Sequence, residues 1–586
     1  GTYYANIYSS NTLALVKKQV TGSITDELEW KATEDQILYA SDAAANDYLG
    51  SSIDISGDYL VVGARGDDSN KGAAYIYMRN GTNWTQQQKI TASDGSGDVS
   101  GYVGDKLGDS VSISGDYVIA GARFDNQYKG AAYIYVRSGT TWSQQQKLTA
   151  SPTRANDRFG SSVSISGDYA IVGNIETGST SDSGSAYIYV RSGTTWSQQQ
   201  KITPSDGSGS DNFGNSVSMS GDYAIVAAVL EDTGASETGA AYIFKRSGTT
   251  WSEQAKIQAS NTASDDQFGT SVSIDGGYAI VGSHNQDTGG ADAGAAYIFK
   301  KEALSRPTTN VIVLSPDWGS PAQHYHRNPS LDTTTSSFYE LVAGTSWGSG
   351  TTSDNGHGIE LRLNGTNTEV YVNSDNNNFD PTTVSIGGGT ASSSVTLISG
   401  QTCTVYKADG TGYSFTVNSG HLFGESWSQQ QKIQASDKQA GDRFGNSVNI
   451  KGNFAIVAAY QEDTGGSNSG AVYIFERTGT TWTEVKKITA SDAAASDEFG
   501  VSVAIDGTTA VVGSLNEDTK ASNAGAAYIF SKVAKAKPSL TFDGYNKLTA
   551  PVLEATFTAT RLSDWDNNNQ SKTMVTGGGD WPDATM

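Results

Sequence analysis

Apolar and polar residues along most of this chain alternate in short bursts that return in the same order. In Phe159 to Ile165, FGSSVSI, Phe, Ser, Val and Ile fall on one face and Gly and Ser on the other, the period-two pattern of a strand squeezed between neighbours. Ser166-Gly-Asp-Tyr169 follows as a tight hairpin, with Gly supplying a positive φ. A second strand, YAIVG from Tyr169, runs into a longer polar loop. A third, AYIYVR from Ala186, is joined by SGTT to a fourth, WSQQQKI from Trp196. The burst predicts four antiparallel strands, the last outermost.

Near copies of this unit recur around Gly50, Gly108, Gly160, Gly214, Gly269, Gly445 and Gly500. The glycines are 52 to 58 residues apart except for one interval of 176, which carries about 120 extra residues. Seven units of one kind, each burying its apolar faces on its neighbours, predict a closed ring. The last unit, ending GAAYIFS at Ser531, has no Trp-containing fourth strand, whereas Glu29 to Ile37 reads as a fourth strand ahead of the first unit. The N-terminal strand therefore completes the seventh sheet and leaves no open edge, with Trp30 expected beside Tyr528.

The fold class is thus all-β: a seven-bladed β-propeller over residues 28–302 and 426–532, with an N-terminal extension, 1–27, and a C-terminal β extension, 533–586. Within the extension, LALVKKQV at Leu13 fits a strand or one or two helical turns. Residues 303–425 replace the tip of a hairpin in the fifth unit, a site that accepts a second domain. Short runs there, at Val311, Gly358, Thr368, Ser394 and Gly412, predict an inserted β-sandwich or jelly roll. Strand alternation puts its root at the end of the ring opposite the loops between second and third strands.

The FG opening, the following GDYAIVGA and the closing GAAYIF resemble FG-GAP repeats, the units of the integrin α-subunit head propeller and of many surface proteins. That resemblance implies a surface or adhesion role. Integrin-type blades often carry a calcium loop of the form DxDxDG between first and second strands. Here that turn is shortened to SGDY at Ser56, Ser114, Ser166 and Ser220, DGGY at Asp275, KGNF at Lys451 and DGTT at Asp506, so that site is not expected.

An aspartate stands three residues ahead of every repeat glycine: Asp47, Asp105, Asp157, Asp211, Asp266, Asp442 and Asp497. Two readings are open. Each caps the turn entering the inner strand by accepting backbone N–H bonds, or some of them hold calcium, a hard cation that prefers oxygen. The loops on the same end are acidic too, with Asp67 and Asp68, Glu231 and Asp232, Asp287, Glu462 and Asp463, and Glu517 and Asp518. They are solvated loops or a cation- or ligand-binding face. No cofactor is required, and calcium is the one candidate.

Lys plus Arg number 39 against 62 Asp plus Glu, a formal charge of −23, which repels nucleic acid and suits cations, basic partners or solubility. No run of 18 apolar residues predicts a membrane span. The single Cys403 excludes an internal disulfide without excluding export and reads as a small buried side chain. The opening Gly1-Thr-Tyr-Tyr, with no initiator Met, fits a removed leader or a trimmed chain.

Catalytic patterns such as GxSxG, HExxH or a P-loop are missing from the sequence. A glycosidase would need a pair of carboxylates, and the repeat marks none. His324 and His326 on one side of a strand suit zinc or copper, or are ordinary surface histidines alongside His357 and His421. Arg65-Gly66-Asp67, the tripeptide that integrins recognise, is expected by chance in an exposed loop. The WSQQQK strands put Gln and Ser on the rim, to keep an edge soluble or to bond a neighbour in a lattice. These features predict a non-enzymatic extracellular, cell-surface or virion-surface protein that displays its insert and its acidic loops to other surface or assembly proteins or to glycans, as a monomer, homo-oligomer or lattice. The alternatives are a virion fibre component and a carbohydrate-binding or polysaccharide-cleaving protein.

Overall fold

The computed structural model describes residues 28–304 and 424–535, apart from 100–102, 152–153, 176–182 and 233–234. Elsewhere it describes 2–9, 12–21, 325–327, 338–343, 358–364, 367–373, 381–387, 389–397, 401–407, 412–416, 541–543 and 547–549. By contact the chain divides into two units, residues 32–531 and a second of 1–31 with 532–586.

Seven antiparallel sheets of the first unit form a ring, and six of them run in chain order from the inside out. The first blade is Leu49–Ser56, Tyr59–Ala64, Ala73–Asn80 and Asn83–Ile90. The inner strands of the next five are Ser110–Ser114, Val163–Ser166, Phe213–Ser220, Val272–Asp275 and Phe444–Lys451. The seventh has Ser502–Asp506, Thr509–Ser514 and Ala526–Ala534 and is completed by Gln36–Leu38. Inner strands pack in sequence, and the seventh packs on the first. The ring is closed, as the repeat spacing predicts.

Apolar residues of adjacent blades meet in shared cores. Ile280 and Ile298 of the fifth blade, for example, pack with Val448, Ile450 and Val457 of the sixth. Fully burying one such side chain contributes about 1.5–3 kcal/mol. Toward the rim, a tyrosine opening the second strand of each of the first five blades meets the outer-strand tryptophan of the next blade edge to face, as in Tyr117–Trp196 at 5.9 Å and Tyr278–Trp482 at 6.0 Å.

Polar positions carry the rest of the junction. The exposed edge of an inner strand would leave N–H groups unpaired. Here Ser110, Ser112 and Ser114 accept from Val163, Ile165 and Gly167 of the next blade at 3.0, 3.2 and 3.2 Å. At the rim, Gln146 bonds both the N–H and the C=O of Trp196 at 2.8 and 2.6 Å. Gln145 sits in a bulge of its strand and accepts from the Trp196 indole at 2.9 Å. The glutamines therefore bond the adjacent blade, which corrects the expectation that they face solvent or a lattice neighbour: the bulge turns them sideways.

Closure uses the same parts. Gln36 bonds Trp84 N–H and C=O at 2.8 and 2.7 Å, as Gln146 does Trp196. Ile37 lies opposite Tyr528 and, in the second unit, Trp30 lies opposite Lys532. The expected register is thereby corrected. In the third blade Trp196 likewise faces Arg191 while Lys201 faces Tyr187, so Ile37 holds the position of a lysine.

The second unit also holds the hairpin Thr2–Ser9 with Thr12–Thr21, where the sequence left strand or helix open, and the hairpin Thr541–Asp543 with Lys547–Thr549. Within the insert, Tyr325–Arg327, Phe338–Ala343, Gly358–Asn364, Asn367–Asn373 and Ser394–Thr396 form one sheet. Pro381–Ile386, Thr402–Lys407 and Gly412–Thr416 form another. The run at Val311 lies outside the described residues. The insert's root extends the third and fourth strands of the fifth blade, Ala295–Leu304 and Gly424–Ile433, at the expected end of the ring. Gln401, however, bonds Ser205 and Glu253 of the fourth blade, with 3.1 Å to the carboxylate, and Ser205 lies at the acidic-loop end.

Each blade also latches by a backbone bond from the residue before the repeat glycine, such as Phe159 N–H to Lys129 C=O at 3.0 Å. A Cβ on the adjacent Gly130 would lie 2.0 Å from Phe159 O, whereas Gly139, also at positive φ, has open space around it. Gly139→Ala is expected to cost about 1–2 kcal/mol, the left-handed backbone penalty alone. Gly130→Ala should cost more than that, and urea unfolding of both variants measures the difference.

Candidate functional site

The loops at the end where inner strands begin collect nearly all the candidate chemistry. All seven aspartates accept a backbone N–H, from three residues earlier in sequence or, for Asp105, nine. These bonds are Ala44 to Asp47 at 2.7 Å, Ser96 to Asp105 at 2.6 Å, Arg154 to Asp157 at 2.7 Å, Ser208 to Asp211 at 2.7 Å, Ala263 to Asp266 at 2.8 Å and Gln439 to Asp442 at 2.6 Å. Asp497 does the same with Ala494 at 2.8 Å. All seven are buried. Burial pushes Asp211, Asp442 and Asp497 up to about 6, against the pull of the backbone bond, and neighbouring acids add to the rise. Asp47, Asp105 and Asp266 move the same way. The geometry is that of the capping reading. Among the described residues, no group of three or more His, Cys, Asp and Glu side chains is placed to hold a metal ion.

A second constellation is one the sequence reading missed. In four blades the lysine near the end of the outer strand reaches over the tyrosine of the third strand and joins two acids. Lys89 Nζ bonds Asp42 at 2.8 Å and Asp67 at 2.7 Å, and the Tyr75 hydroxyl bonds the same two. Lys147 bonds Asp94 and Asp125 at 2.7 and 2.9 Å, with Tyr133. Lys256 bonds Asp206 and Glu231, each at 2.7 Å. Lys487 bonds Asp437 at 2.5 Å and Glu462 at 2.9 Å. Each ammonium stands 5.2 to 5.7 Å from its tyrosine ring. Burial alone would raise Asp42, Asp94 and Asp437, but the Lys and Tyr hydrogen bonds hold them below the usual carboxylate range. A Ser-Asp recurring after five of the outer strands, with Lys as the last residue but one of the strand in the blades that follow the pattern, is the signal that would have found the cluster.

This cluster divides the acidic loops. Asp67, Glu231, Glu462 and Glu517 are buried, whereas Asp68, Asp232, Asp287, Asp463 and Asp518 are exposed. Four of the exposed set accept a backbone N–H across their own loop, Asp232 from Glu237, Asp287 from Asp292, Asp463 from Asn468 and Asp518 from Asn523. Arg65-Gly66-Asp67 is therefore not a displayed tripeptide. Asp67 is held inside by Tyr75 and Lys89, which corrects its exposed placement.

Other candidates stand apart. His326 lies in a strand whose side chains are not described, and His324, His357 and His421 lie outside the described residues. Cys403 is buried, which pushes its thiol up to about 12. Glu253, buried under Gln401 and bonded to Ser205 N–H at 2.9 Å, is pushed up to about 8 by burial and by Asp206.

The profile of the FG-GAP repeat matches residues 32–77, 84–135, 142–189, 196–244, 251–299, 427–475 and 482–530. No curated protein matches the chain. Among solved structures, a chain of the "Crystal Structure of Mitotic Checkpoint Complex" is similar at 10% identity, over 89% of this chain and 99% of that one, with a TM-score of 0.35. A likeness of that size carries no argument.

Two measurements check the site's energetics. Lys487→Met leaves Glu462 buried beside Asp437 without its cation and is expected to cost about 1–3 kcal/mol in chemical unfolding. Lys71→Met, which breaks only the exposed pair with Asp68, should change stability by less than about 1 kcal/mol. For Asp442 the folded-state pKa is raised, so its contribution is fully present below the unfolded pKa and is lost as pH rises toward about 6. Asp442→Asn keeps an acceptor for Gln439 N–H without a buried charge. The stability of the native chain relative to that variant should therefore fall between pH 4 and pH 7 in thermal melts.

Proposed function

The chain belongs to the FG-GAP repeat family, and from that premise we propose that it is a non-enzymatic extracellular protein, on a cell or virion surface, whose rigid ring displays the insert and an acidic rim to other surface or assembly proteins. The family's propellers are of surface and adhesion type and typically not enzymes. One observation supports the reading for this chain: the carboxylates and lysines that could do chemistry are engaged inside the blades. The described lysine clusters are each bonded within their own blade, and each aspartate next to a repeat glycine caps its own turn. In the loops between second and third strands, one acid faces outward in each of five blades, Asp68, Asp232, Asp287, Asp463 and Asp518.

The insert has a firm base. Glu425 at its root bonds Lys245 at 2.7 Å and the Tyr223 hydroxyl at 2.6 Å, and Gln401 holds Glu253. The outer strand Thr250–Ile257 is buried over Glu253 to Ile257, where the matching strand of the first blade is half-exposed. A net charge of −23 favours cationic or neutral partners over nucleic acid.

Antibodies raised against residues 303–425 are expected to label the intact surface of the producing cell or particle. Incubation of the whole chain with a polysaccharide panel should release no reducing sugar. Labelling only after lysis would overturn the location, and sugar release would overturn the non-enzymatic reading. Retention on a glycan array without turnover would identify the partner as a sugar.

A further inference from the structure

The seventh blade keeps the acids of the lysine cluster and lacks the lysine. Its members are Asp492, Glu517 and Tyr528, equivalent to Asp437, Glu462 and Tyr473 of the sixth blade, and the lysine's place is taken by Ile37 of the closing strand. Tyr528 still bonds Asp492 at 2.9 Å, as Tyr473 bonds Asp437 at 2.8 Å.

The difference is sharpest at the glutamate. In Glu462, one oxygen accepts Thr464 N–H at 3.0 Å and the other takes Lys487 Nζ at 2.9 Å and the Thr464 hydroxyl. In Glu517, one oxygen accepts Thr519 N–H at 2.7 Å, and Oε2, the counterpart of the lysine-bonded oxygen, has no hydrogen-bond partner among the described residues. Glu517 is only 3% exposed. A buried carboxylate oxygen left without a partner is costly. The nearest base, Lys520, is exposed and lies over the Tyr39 ring at 4.7 Å. In the fifth blade the opposite change occurs: Lys432 is kept while the acids become Asn261 and Gln286, and Lys432 bonds Gln286 at 2.7 Å. Charge is thus adjusted to the cation in that blade, and the seventh is the one with both acids and no ammonium.

We propose that the seventh blade binds one calcium ion where its siblings hold a lysine ammonium, with Glu517 and Asp492 as carboxylate ligands and water completing the shell. Two carboxylates balance a divalent ion, and all the donors are hard oxygens. Ile37 stands opposite Tyr528 where the siblings have a lysine and brings no ammonium, and the Tyr39 hydroxyl, which also feels Glu517 and Asp492, is bonded to the Thr519 side chain. The exposed Asp492 forms the entrance. This site lies at the blade's loop end, away from the hairpins between first and second strands and distinct from the backbone-capping oxygens of the aspartates that precede the repeat glycines.

The test uses the whole chain, stripped with chelator and titrated with calcium chloride alone. Calcium should raise Tm by about 1–3 °C, and Glu517→Gln should lose that rise while retaining the native far-ultraviolet spectrum. Ile37→Lys restores the sibling arrangement and should melt higher than the parent without calcium and respond to it less. The proposal is overturned if the parent shows no calcium response, if Glu517→Gln or Ile37→Lys keeps the full response, or if sodium or potassium at the same concentration replaces calcium.

Discussion

The ring rests on one backbone hydrogen bond, repeated at every junction. The residue before each repeat glycine donates its N–H to the carbonyl two residues ahead of the neighbouring third strand: Leu107 to Lys71, Phe159 to Lys129, Phe268 to Thr238, Phe499 to Ser469, and at closure Leu49 to Ala524 at 2.9 Å. One such bond is worth about 0.5–1.5 kcal/mol net. Its larger effect is geometric, because it fixes how near two sheets approach. At that distance the facing residue must lack a Cβ, and the capped aspartate turn must present the N–H at the correct angle. The inner serines then reach the next strand, and the tyrosine and tryptophan of adjacent rims come into edge-to-face contact. Each polar feature of the repeat is a consequence of that approach.

Much of this was legible in the sequence, because a repeated requirement leaves a repeated residue. The glycine spacing gave seven units, the missing Trp strand at the end gave the closure, and the overlong interval gave the insert. The register of closure was not legible. Trp30 to Leu38 is two residues longer than Trp196 to Ile202, and matching the two Ile residues by eye pairs Ile37 with Ile202. In the ring Gln36 must face the Trp84 backbone, as Gln200 faces Trp251, and that constraint puts Leu38 opposite Ala527 and the extra residues outside the pairing.

Side-chain direction was the other limit. Asp67 and Glu231 look like exposed loop acids because their neighbours are polar, yet the hydroxyl of a third-strand tyrosine and the ammonium of an outer-strand lysine emerge at the same end and draw them in. The glutamines of WSQQQK read as solvent-facing by alternation. One bulged residue breaks the alternation and turns Gln145 and Gln146 toward the next blade, while Gln144 bonds Ser93 in the linker that leads into its own blade. A period-two pattern predicts which face a residue lies on, and a bulge is where that inference fails.

Near-identical blades make each departure from the pattern informative, because pKa values and geometry change only there. The departures here are few and each has a structural correlate. Ala255 removes the rim glutamine at the fourth blade, and the strand that carries it is covered where Gln401 reaches Glu253. Asn261 and Gln286 remove charge where Lys432 has no acid to meet. Ile37 removes an ammonium where the chain borrows its own N-terminal segment to finish the ring. These three departures fall beside the insert and at the closure, the two places where the chain departs from simple repetition. In a scaffold those are the points at which an attached domain, a terminus or an ion can act on the whole ring without disturbing the junction bond that holds it.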